Sequence, residues 1–137
     1  MRGGTRYPVV AGLIGSALLG LGACTETNCT SIGSTDSVGI RLDPGAPTTG
    51  LSTIRACIAA QCAEQQVAAP FDQTWLDLDA VKQRPVSITV QGTGASGRTL
   101  FSGTVTVTPQ RFEPNGPGCG TWWHANLKIT AAGVATA

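Results

Sequence analysis

Charge is scarce in this chain: Asp, Glu, Lys and Arg make up 12% of 137 residues, and nine basic residues nearly balance eight acidic ones. Globular domains average about a quarter, so neither a charge-driven nucleic-acid binder nor an acidic disordered tail fits. Histidine and methionine occur once each, which leaves little for a metal cluster. Aromatic residues reach only 5%. No apolar run attains the roughly 20 residues that a membrane-spanning helix takes. The length suits one domain and not two.

What is present at the start reads as an address. Arg2 and Arg6 precede Val9 to Leu21, a stretch of apolar residues broken only by small Gly and Ser. Its size is that of the apolar region of a signal peptide, expected as a helix over residues 1–23. The next residues, Leu21-Gly22-Ala23-Cys24, resemble the lipobox of bacterial lipoproteins, with Gly22 where Ala or Ser is usual. That resemblance implies cleavage before Cys24 and a diacylglycerol on the Cys24 sulfur. Two acyl chains hold a protein stably at about 0.8 kcal/mol per buried CH₂. The product would stay lipid-anchored on the extracytoplasmic face of a cell membrane. Losing Arg2 and Arg6 leaves seven basic against eight acidic residues, so lipid rather than headgroup charge must do the anchoring. Residues 24–36 read as the lipidated cysteine and a polar tether, and 37–137 as the folded domain.

Cys29, Cys57, Cys62 and Cys119 remain, an even number in a small exported domain, and read as two disulfides among three possible connectivities. Register helps to choose. A hairpin with the loop Ala59-Ala60 sets Arg55 opposite Glu64, Ala56 opposite Ala63 and Cys57 opposite Cys62, matching charge with charge and small with small. The cysteines then occupy a non-hydrogen-bonded pair, whose Cα separation of about 4.5 Å is near disulfide range. Cys29 and Cys119 are left to pair.

Beyond residue 36, apolar and polar residues alternate in short runs. Val38, Ile40 and Leu42 share a face, as do Ile54, Ala56 and Ile58, with Ala63 and Val67 across the hairpin. Leu76 and Leu78 alternate with Asp77 and Asp79, and Val86, Ile88 and Val90 with Ser87, Thr89 and Gln91. Phe101, Val105 and Val107 come next, then Trp123, Ala125, Leu127 and Ile129. Seven period-two runs, parted by turn clusters at 43–50, 92–97 and 114–120, predict an all-β, antiparallel β-sandwich of immunoglobulin-like or similar architecture, with a partly closed barrel as the alternative. Asp79 to Arg84 is the one candidate helical turn, ended by Pro85.

Adjacent residues on a strand point to opposite faces. If Trp123 faces inward with Ala125 and Leu127, then Trp122, His124, Asn126 and Lys128 line an outer face suited to stacking on a sugar or peptide. Trp122 can instead cover the sandwich edge beneath the Cys119 loop. Trp75, Asp77 and Asp79 share another outer face; two carboxylates fall short of the six to eight oxygens calcium recruits, and solvated edge charges are the simpler reading. The segment 112–120, with two prolines and a cysteine, reads as a stapled connection or a preorganised recognition loop. Gly92 to Gly97 resembles a phosphate loop only superficially, since no Lys followed by Ser or Thr completes it. A Ser-His-Asp arrangement would need His124, and no Gly-x-Ser-x-Gly elbow raises a nucleophile.

The lipobox, Arg55-Ala56-Cys57 with Cys62, and Pro114-Asn115-Gly116-Pro117-Gly118-Cys119 before a Trp strand together resemble small lipoproteins of actinobacteria. Members of that group carry further cysteines near positions 34 and 122, where this chain has Ser34 and Trp122. The resemblance lends no activity. The expectation is a non-catalytic binding or structural module of the cell envelope, without cofactor, catalytic residue or metal, whose partners are the membrane and an envelope protein or polysaccharide. The alternative is a secreted or surface-held inhibitor, for example of a protease, presenting the 112–120 loop.

Overall fold

Residues that alternate apolar and polar can bury one face of an extended strand while the other meets water, and two such faces closed on each other make a core. The computed structural model describes residues 28–68 and 70–137. The expected signal helix and Cys24 lie outside them. The strands are β1 (Ser37–Leu42), β2 (Leu51–Ile58), β3 (Gln61–Gln66), β4 (Gln73–Asp77), β5 (Val86–Gly94), β6 (Thr99–Val107), β7 (Gln110–Phe112), β8 (Trp122–Thr130) and β9 (Gly133–Thr136). They form a β-sandwich, and among the described residues no helix is long and apolar enough to cross a membrane.

One sheet runs β3-β2-β5-β6, antiparallel throughout. The other runs β4-β1-β8, and the far side of β8 is shared end to end by β7, opposite Trp122–His124, and β9, opposite Leu127–Thr130. One pair departs from the antiparallel rule: β1 and β8 run parallel, Ser37 beside His124 through Leu42 beside Ile129. Between the sheets lie Val38, Ile40, Ile54, Ile88, Val90, Leu127 and Ile129, all essentially without exposure. Each comes from an inward position of the predicted alternation.

The hairpin register is the expected one, Arg55 with Glu64, Ala56 with Ala63 and Cys57 with Cys62. Both disulfides form as expected: Cys57–Cys62 across the hairpin, with Cα atoms 4.1 Å apart, and Cys29–Cys119, with Cα atoms 5.5 Å apart. Ala59 adopts φ 51°, a left-handed value that primed hairpin turns ask of their first loop residue and that glycine usually supplies.

Three local expectations change. Gly92 and Gly94 belong to β5 rather than to a loop, because a bare Cα at 92 makes room for the Phe101 ring, into which a Cβ there would run. The turn between β5 and β6 shrinks to residues 95–98, closed by Gly94 N–H to the Arg98 carbonyl at 2.9 Å. Residues 79–84 form no helix: a tight turn over 78–81, closed by Val81 N–H to the Leu78 carbonyl at 3.1 Å, buries Val81 in the core, and 82–84 follow as irregular chain.

Candidate functional site

The topology gathers the leading segment, the β2–β3 turn, the 78–85 connection and the 112–121 loop at one end of the sandwich. The leading residues are no free tether there. Besides its disulfide to Cys119, this segment is tied through Asn115, whose Oδ1 accepts from Ile32 N–H at 2.6 Å and from the Thr30 hydroxyl at 3.0 Å. The Asn115 amide in turn donates to the Ile32 carbonyl at 2.9 Å. Asp36 accepts from Trp123 N–H at 2.8 Å and pairs with Lys82. Arg111 bonds Glu113 at 2.5 Å, and the Thr121 hydroxyl adds a contact to the same carboxylate at 3.3 Å. The 112–120 loop is thus held at both ends.

Side chains at Ser37 and Arg41 of β1 point away from the core, as do Gln73, Trp75 and Asp77 of β4 and Trp122, His124, Asn126 and Lys128 of β8. Those last four share one outer face of the sheet. Sheet order then adds neighbours that the β8 sequence alone does not show. The Trp75 ring lies 5.1 Å from the His124 ring, and Phe112 of β7 lies 4.7 Å from its other side. Trp75 and Phe112 are 45% and 43% exposed, which leaves a strip with two rings open to solvent on either side of a half-buried His124. Gly39 is what lets Trp75 reach across β1: a Cβ at that position would stand 2.6 Å from the indole and 2.9 Å from Asn126 Oδ1. Trp122 is half-buried and folds over Gly120, so it covers the base of the Cys119 loop more than it extends the strip.

Polar groups around the strip are mostly neutral. Ser37, Asn126, Gln110 and Gln73 flank it by register. Arg41 is occupied by Asp43 at 3.1 Å, and Lys128 lies at the distal end of β8. Asp77, Ser37 and His124 stand in one cross-strand row, with the serine rather than the histidine in the middle. Ser37 is buried, and Asp77 accepts from the Thr35 hydroxyl at 2.6 Å. The arrangement therefore differs from a Ser-His-Asp relay, in which the imidazole bridges the other two.

Asp77 and Asp79 do not converge. Asp79 lies past the end of β4, on the rim of a shallow hollow lined by Ile58, Ala80, Val86 and Arg84. Among the described residues no three of His, Cys, Asp and Glu gather to hold a metal ion. On the outer face of the other sheet, hydroxyls of β5 and β6 pair with each other, Ser87 to Thr106 at 3.0 Å and Thr89 to Thr104 at 2.8 Å, beside the charged Arg55 and Glu64 of the hairpin. Of the two outer faces, the aromatic one carries the larger unused apolar surface. Comparison with protein-family models, curated proteins and solved structures finds no match, so function rests on residues and geometry alone.

Proposed function

We propose that this chain is an exported lipoprotein, anchored through Cys24 to the extracytoplasmic face of a cell membrane, whose sandwich is a non-catalytic binding module for an envelope polysaccharide. The observation that carries the ligand class is the Trp75–His124–Phe112 strip, with Trp75 and Phe112 exposed, bordered mostly by neutral amides with Asp77 at one edge. Sugars offer apolar C–H faces to rings and hydroxyls to amides, and they need no charged partner. The anchor rests on the lipobox-like residues 21–24 behind a basic and then apolar leader. No cofactor enters this reading.

Retention of the purified, acylated protein on cell-wall polysaccharide tests the ligand. Truncating a central binding residue costs about 2 kcal/mol or more, so Trp75→Ala should weaken retention about 30-fold or further. Retention that Trp75→Ala leaves unchanged would remove the strip from the function. The intact mass, starting at Cys24 with acyl additions, checks the anchor.

A second reading draws on a different feature, the 112–120 loop clamped by Cys119 and by Arg111–Glu113. A loop so held is preorganised as an inhibitor's must be. Inhibition of an exported protease, abolished by Pro117→Asp, would move this reading first.

A further inference from the structure

The leading segment has little slack. If Cys24 carries lipid, five residue steps separate it from Cys29, at most about 18 Å of extended chain. Slack ends at Cys29, because the disulfide joins it to Cys119 and Asn115 ties down Thr30 and Ile32 just after it. A lipid on Cys24 therefore keeps the end of the sandwich that carries the 112–120 loop within about 18 Å of the bilayer.

That end is dressed for such a neighbour. Ile32 has both its backbone N–H and C=O turned inward to Asn115, yet it is the most exposed large apolar residue described, at 57%. Exposed Ser31 and Gly33 flank it without charge, and Pro117 and Gly118 of the loop bridged to Cys29 are likewise exposed and uncharged. Of the nearby charges, Asp36 pairs with Lys82 and Arg111 with Glu113, while Asp77, Asp79 and Arg84 at the same end leave about one negative charge over, so headgroup attraction contributes nothing and apolar contact has to do the seating.

We propose that Ile32 and the 114–120 loop form a lipid-contact surface that rests on the headgroup region. β1 leads away from it, and the Trp75–His124–Phe112 strip faces sideways, parallel to the membrane. This proposal rests on the lipid anchor, and it excludes the inhibitor reading, whose loop must meet a protease from solution.

The test uses the full acylated protein in protein-free phosphatidylcholine–phosphatidylglycerol vesicles containing brominated lipids. An added tryptophan reports position, Ile32→Trp at the seated end or Ala95→Trp at the opposite end, each read against the unsubstituted protein. Seating predicts that the Ile32→Trp emission is quenched several-fold more than that of Ala95→Trp. Hydrogen exchange on the unsubstituted protein should likewise slow at residues 114–120 when micelles are replaced by vesicles. An acylated protein with equal or no quenching at both positions would overturn the seating alone. A mass without acyl groups would overturn the anchor and the seating together.

Discussion

Gly39 holds the candidate site open by having no side chain. Valine there must displace either the indole of Trp75 or the amide of Asn126, since the new Cβ would fall within 3.0 Å of both. Gly39→Val should therefore lose polysaccharide retention as fully as Trp75→Ala, while overpacking costs about 1–3 kcal/mol in urea unfolding. Gly92→Ala should cost a similar amount through Phe101 but leave retention intact, because Gly92 lies in the other sheet. Asn115→Ala strips partners from both backbone groups of Ile32. Each group left unpaired costs about 1–3 kcal/mol when buried, and this segment is only partly buried, so a loss near the lower figure is expected. Proteolytic nicking near residues 29–33 should appear alongside it. Period two was enough to read Trp122, His124, Asn126 and Lys128 as one face. Trp75 and Phe112 as flanks of His124 were not legible, because neighbours across strands depend on sheet order, which alternation does not encode.

Strand pairing divides in the same way. The β2–β3 register followed from local chemistry alone, two cysteines and an Arg–Glu pair at fixed separations from a two-residue turn. β7 and β9 escaped notice because three or four residues with few large apolar side chains show no period. They exist because β8 is nine residues long and offers one side to two short partners in series. The parallel pairing of β1 with β8 was invisible for a related reason, since an alternating pattern reads the same in either direction. The two disulfides close very different lengths of chain, with sequence separations of 90 and 5. On the loop-entropy model they stabilise by roughly 4.6 and 2.2 kcal/mol. Replacing Cys29 and Cys119 with serine should therefore shift the urea midpoint about twice as far as replacing Cys57 and Cys62.

At the scale of the molecule, fold class was legible because seven runs of half-buried residues leave few architectures that bury them all. The stacking order of the strands was not, and it is what puts the aromatic face and the leading segment on one unit. Ile54 contributes to the core from the middle of the other sheet, fully buried. Ile54→Ala should cost about 2–5 kcal/mol with no selective effect on retention, which separates damage to the scaffold from damage to the strip.

The Cys29–Cys119 bridge also decides how the protein answers a pull. Tension applied between Asn28 and Ala137 travels through the sulfurs straight from residue 29 to residue 119. Everything between them, including both strands of the hairpin and most of the core, lies off the load path. Stretched singly, the oxidised protein should lengthen only by the segment after Cys119, and the reduced one by nearly the whole domain. A force strong enough to peel β8 and β9 would still leave the larger part of the sandwich closed within the loop that the bridge defines.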